Sequence, residues 1–196
     1  MPSIWPGLVV FDLDHTLWHR PRFRVGPPWR LVEDGLGGVR SSSGEHLYLF
    51  PGARRALLAL SDANVPVALA SRTHRVDWAL QWLALLRLEP DGRTVADVVG
   101  SWPVIIRDGP KTHHLHEITQ RTGVPLSRTL FFDDDATDVC GAKALGCVAV
   151  HCASVGRHRR GRLGGLTDEL FFDGIRKFAN RATPGTEESL LVGGSG

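Results

Sequence analysis

Leu8-Val9-Val10-Phe11 is an apolar run of four residues with charge directly behind it, and short apolar runs recur at 65–70, 104–106, 129–132 and 147–151. A continuous apolar run bounded by polar residues is the pattern of a strand buried on both faces, which is the strand of a parallel sheet covered by helices. Between the runs, residues 52–62, 73–86, 111–121 and 136–145 are helix-sized stretches, and a last helix is expected over 166–181. Strands alternating with helices predict an α/β fold: a doubly wound, Rossmann-like parallel sheet of about five strands, helices on both faces, and right-handed crossovers.

One stretch departs from that rhythm. Residues 19–51 contain Pro21, Pro27 and Pro28, then the alternating His46-Leu47-Tyr48-Leu49-Phe50. A turn at Ser41-Ser42-Ser43-Gly44, flanked by strands near 29–33 and 46–50, predicts a small β-hairpin flap inserted after the first strand. It is too small for a cap domain. The rest, 1–182, reads as a single domain. Residues 183–196, ending Val-Gly-Gly-Ser-Gly, lack periodic apolar spacing and read as a disordered tail without function.

The 196 residues, 42% apolar and 22% charged, suit one soluble domain with a proper core. Lys plus Arg number 23 against 21 Asp plus Glu, so the net field argues for neither nucleic acid nor an anionic membrane. Neither a secretory signal nor a membrane span is visible, so a soluble intracellular, cytoplasmic protein, monomeric by preference, is expected. Cys140, Cys147 and Cys152 are an odd, late cluster that reads as reduced thiols.

The chemistry gathers where the runs end. Asp12 and Asp14 follow the first run two residues apart, and in an extended chain such residues point the same way while Leu13 turns toward the packing side. Two carboxylates so close repel unless a cation sits between them, and Mg²⁺ takes one or two carboxylates plus waters and a substrate phosphate. Alone, Asp-Leu-Asp reads equally well as a solvated turn. A second acidic cluster, Asp133-Asp134-Asp135, after Leu130-Phe131-Phe132 tips the balance toward a shared metal. Ser71, after the second run, offers a hydroxyl donor to a phosphate oxygen, and Lys111, after the third, offers a compact positive charge.

With these motifs in order, the chain resembles the haloacid dehalogenase superfamily of phosphohydrolases, and within it the small, capless magnesium-dependent phosphatase-1 type. The words that carry the resemblance are Phe-Asp-Leu-Asp-His-Thr-Leu-Trp from Phe11, Ala-Ser-Arg-Thr from Ala70, Lys111 with Thr112-His113, Thr122-Gly123-Val124-Pro125, and Phe-Phe-Asp-Asp from Phe131. They span about 8–151; residues 92–109 and everything beyond 151 match weakly.

The resemblance implies an Mg²⁺-dependent hydrolase of phosphate monoesters working through an aspartyl phosphate. Asp12 would be the nucleophile and Asp14 the acid and base. Mg²⁺ would be held by Asp12, the Asp14 carbonyl and Asp133. Ser71, Lys111 and backbone amides from Leu13 onward would hold the phosphoryl oxygens. Arg72 reads equally as a substrate contact and as a surface ion pair. Asp134 would support the site by binding a metal water or steadying Lys111, Asp138 is a weaker alternative, and Thr16 would cap the turn. His15 occupies a variable position and carries no role.

The substrates implied are phosphotyrosine protein or phosphorylated sugars and glycated amines. The alternatives are acyl or phosphoryl transfer within the same superfamily, and a non-catalytic scaffold binding through the basic run 157–162 or the Trp78 and Trp82 face. Trp78 and Trp82, four apart on one helix face, read as core before contact surface. His113, His114 and His116 scatter over more than one helix face and do not read as a metal site.

Overall fold

A computed structural model describes residues 4–19, 26–32, 34–89, 92–153 and 164–182. The central sheet has five strands, β1 (Leu8–Phe11), β5 (Val67–Ser71), β6 (Val104–Ile106), β7 (Thr129–Asp133) and β8 (Val148–His151), in the order β6-β5-β1-β7-β8. All neighbours run parallel. The chain builds outward from β1 on one side, then returns to build on the other. β1 therefore lies at the switch of strand order, where ligands of open α/β sheets collect at the carboxyl ends of the strands.

Alternate residues of the buried strands feed two cores. Val9, Phe11, Val67, Leu69, Leu130, Phe132, Val148 and Val150 face one side, which α1 (Pro51–Asp62), α2 (Val76–Leu85), α3 (Val95–Val99) and α6 (Asp168–Ala182) cover. Leu8, Val10, Ala68, Ala70, Ile105, Phe131 and Ala149 face the other, covered by α4 (Lys111–Thr122) and α5 (Ala136–Ala144). The doubly wound reading is thus correct, and it follows from the period of two. α4 stops at Gly123, whose φ of 71° supplies the left-handed turn that ends a helix.

The flap differs from a two-stranded hairpin. β2 (Arg30–Leu31), β3 (Val39–Arg40) and β4 (His46–Leu47) form an antiparallel sheet with β3 in the middle. The strands expected near 29–33 and 46–50 therefore each pair with β3 and not with one another. The flap is tied down by a Trp18–Leu49 backbone bridge and by Trp29, which packs edge-on against Trp82 at 5.0 Å.

Between α2 and β6, α3 stands where no helix was expected. α2 begins three residues later than predicted, because 73–75 form a turn in which Thr73 and Arg75 backbone N–H groups bond the Ser71 and Thr73 hydroxyls. Cys140, Cys147 and Cys152 are free thiols. No helix among the described residues is long and apolar enough to cross a membrane. The expected tail, 183–196, and the basic run 157–162 lie outside the described residues.

Candidate active site

β1 delivers Asp12 at its carboxyl end, and the chain then folds into a tight turn. The N–H groups of Thr16 and Leu17 both donate to the Leu13 carbonyl, at 3.2 and 2.8 Å. His15 takes a φ of 65°, a left-handed conformation that few residues other than glycine adopt. Asp12 and Asp14 line one cavity of about 170 Å³ with Ser71, Arg72, Lys111, Asp133 and Asp134. Leu13 points the opposite way into the core, as an extended chain requires. Trp18, fully buried, donates its indole N–H to Asp14 Oδ1 at 3.0 Å.

Lys111 opens α4 and is 1% exposed, a burial that a lone ammonium could not bear. Its Nζ lies 2.5 Å from Asp12 Oδ1 and 2.8 Å from Asp133 Oδ2. Burial alone would lower the amine, but the two carboxylates outweigh it and hold Lys111 above its ordinary value. Burial also pushes the Asp12 carboxyl up to about 7, against the pull of Lys111 and with the help of Asp133. Asp133 is further fixed by the Asp135 N–H, which donates to its Oδ1 at 2.8 Å.

Asp134 joins Asp12 and Asp133 in a trio whose carboxylate oxygens lie within 4.8 Å of one another. Burial, then Asp133, raises the Asp134 carboxyl. Three hard oxygen donors so close suit a small divalent cation. Asp14 contributes no side chain to the trio. The Lys111 ammonium bonds Asp12 and Asp133, and the Asp134 carboxylate stands in the acidic trio.

Ser71 ends β5, 1% exposed, and its Oγ accepts the Thr73 N–H at 3.2 Å. Its hydroxyl proton stays available to donate. Arg72 lines the cavity and forms an ion pair, with Nη2 at 2.8 Å from Asp138 and 3.2 Å from Asp135. Asp138 therefore serves Arg72 rather than the trio. Asp135 is the N-cap of α5, accepting the Thr137 N–H at 2.8 Å. Thr16 is a correction: the turn is made by backbone bonds, and its buried hydroxyl has no hydrogen-bond partner.

His114 is buried, while His113 and His116 on the same helix are exposed, so the three do not converge. Burial, then Lys111, holds the His114 imidazole below its ordinary value. Trp82 is core and Trp78 half-buried against it, which removes most of the expected contact face. Sequence reasoning missed His15 and His74 as cavity walls and Trp18 as the partner of Asp14. An indole four residues after an acid in a tight turn was the available signal for the last.

A sequence model of the acid phosphatase family matches residues 4–181. Human magnesium-dependent phosphatase 1 is 31% identical over 188 residues, covering 94% of each chain. A haloacid dehalogenase-like hydrolase of Schizosaccharomyces pombe is 29% identical over 140 residues, 67% of this chain and 77% of that protein. Among solved structures, CbbY of Rhodobacter sphaeroides with phosphate superposes with a TM-score of 0.55 at 15% identity, covering 87% of this chain and 99% of that one. Cobalt-bound deoxy-D-mannose-octulosonate 8-phosphate phosphatase of Haemophilus influenzae gives 0.51 at 15% identity, covering 90% and 88%. These two show a shared fold. The match now extends through α6, well past the motifs that first carried the resemblance. The chain belongs to the acid phosphatase family.

Proposed function

From that membership, we propose that the chain is a Mg²⁺-dependent phosphatase that cleaves phosphate monoesters through a phosphorylated Asp12. One observation supports this above the rest: the buried Lys111 ammonium bridges Asp12 and Asp133 at the rim where the carboxyl ends of β1 and β7 meet. The relative's name ties magnesium to phosphatase activity, and the Asp12, Asp133 and Asp134 oxygens fit such an ion. Bound there, with the Asp14 carbonyl as a further ligand, Mg²⁺ would supply positive charge to the phosphoryl oxygens.

Asp12 attacks phosphorus, the P–O ester bond breaks, and the departing oxygen takes the proton of Asp14. Water then attacks the aspartyl phosphate, Asp14 takes its proton back, and inorganic phosphate leaves. Lys111, the Ser71 hydroxyl and the Leu13 backbone N–H steady the phosphoryl oxygens through the transfer. The open cavity beside a small flap suits phosphotyrosine on a protein or a phosphosugar, and these are the substrate classes we propose.

The test is hydrolysis of p-nitrophenyl phosphate with Mg²⁺ and with excess chelator, alongside Asp12→Asn. We expect turnover only with the ion and none from the folded variant, because the amide lacks a nucleophilic anion while keeping the side chain's shape. Activity of Asp12→Asn within tenfold of the parent removes Asp12 from the reaction.

A further inference from the structure

The flap holds a second cavity, of about 510 Å³, whose walls include Arg30, Arg40 and the serine turn 41–44 and, among the described residues, no carboxylate. Arg30 stands directly opposite Arg40, and Arg40 directly opposite His46, across the three flap strands. All three are exposed. Directly opposed residues of antiparallel strands project from one face, so the sheet lines up a row of basic side chains. Like charges set opposite one another destabilise a sheet.

Several arginines elsewhere are matched by an acid: Arg55, Arg93, Arg107 and Arg176 each form such a pair. Among the described residues, no carboxylate lies within ion-pair distance of Arg30 or Arg40. The adjoining turn is already fixed: Ser41 Oγ accepts the Glu45 N–H at 3.0 Å, and Ser42 Oγ donates to the Gly26 carbonyl at 3.1 Å. Two guanidinium groups without an acidic partner among the described residues, lining one cavity, offer the donors that a phosphate group takes through paired hydrogen bonds.

We propose that this flap cavity binds a phosphate group other than the one cleaved, held between Arg30 and Arg40. Free inorganic phosphate and a second phosphate carried on the substrate share that chemistry. The flap is joined to the catalytic turn by the Trp18–Leu49 bridge, and its Trp29 packs on Trp82 of α2. Binding itself does not depend on the phosphatase reading; only the substrate source rests on it.

The experiment is an amide NMR titration of the full chain with inorganic phosphate in excess chelator, at ionic strength held constant with chloride. Saturable shifts at 40–44, absent when chloride replaces phosphate and abolished in Arg30→Gln/Arg40→Gln, are expected. No saturable shift at 40–44, or an undiminished one in the double variant, overturns the proposal. A kinetic arm then identifies the source by the ratio of kcat/KM for a sugar bisphosphate to that for p-nitrophenyl phosphate. A fall in that ratio of about tenfold in the double variant, equivalent to one lost charge-assisted hydrogen bond, assigns the site to the substrate's second phosphate. An unchanged ratio alongside saturable binding assigns it to free phosphate. A chain that binds phosphate at the flap yet hydrolyses no ester would sink the phosphatase reading and leave the flap site standing.

Discussion

Trp18 does two jobs with one ring. Its indole N–H holds Asp14 at 3.0 Å, and its ring edge packs on Trp82 at 5.8 Å. A carboxyl that passes a proton to a departing oxygen must sit within hydrogen-bond reach of it, so a group that fixes the carboxyl's rotation governs the transfer. Trp18→Phe keeps an aromatic ring against Trp82 and removes the donor. We predict a loss in kcat about tenfold greater for a sugar phosphate than for p-nitrophenyl phosphate, the scale of one hydrogen bond to a charged group. The difference arises because nitrophenolate leaves without needing a proton. Single-turnover rates for the two substrates check this, and equal losses would make Trp18 a packing residue only.

At the scale of elements, α3 shows how little helix a good cap can sustain. Five residues cannot hold a helix by themselves. Here Thr94 Oγ1 accepts the Asp97 N–H at 3.2 Å and Asp97 Oδ2 accepts the Thr94 N–H at 2.8 Å, while Val95 and Val99 are buried. Thr94→Ala should cost about 1 kcal/mol in urea denaturation at neutral pH. The hydrogen bonds from Thr94 hold the exposed Asp97 carboxyl below its ordinary value. A depressed folded-state value means the contribution is complete above the unfolded range, about pH 4, and fades as pH falls through the lower folded value. Asp97→Ala should therefore be less stable than the parent at pH 7, with the gap closing in strong acid; a gap that stays constant would contradict the reciprocal cap.

For the whole molecule, the cost of gathering acids from two strand ends falls on the folded state. Asp12, Asp133 and Asp134 are brought together only by folding, so a cation bound by all three stabilises the folded chain by mass action. Mg²⁺ at a hundred times its dissociation constant should add about 2.7 kcal/mol and raise the melting temperature, with excess chelator reversing the rise. Asp134→Asn should lower the size of that Mg²⁺-dependent rise, since it removes a charged oxygen from the trio. Thermal scans with Mg²⁺ and with chelator make the comparison. An identical rise in the variant would place the ion elsewhere.

Much of this was readable along the chain because it depends on local pattern. Continuous apolar runs alternating with helix-sized stretches pointed to the parallel sheet, and parallel strands end at one edge, so Asp12, Asp14, Ser71 and Asp133 had to gather there. Lys111 opens the helix that follows the neighbouring β6. Local pattern fails where a strand is two residues long, as at Val39–Arg40, because such a piece has no period; only pairing on both sides makes it the middle of the flap. The helix behind the Thr94 to Asp97 cap is too short to register as a periodic stretch. Roles set by contacts between distant segments lay beyond the sequence: Asp135 as a cap and Arg72 partner, Asp138 drawn to Arg72, and the Thr16 hydroxyl left without a bond. Lys111 and Asp12 are 99 positions apart, and their 2.5 Å approach exists because the end of β1 and the start of α4 meet at the carboxyl edge of the sheet. The sequence determined which residues could do chemistry and at which edge; packing decided which of them touch.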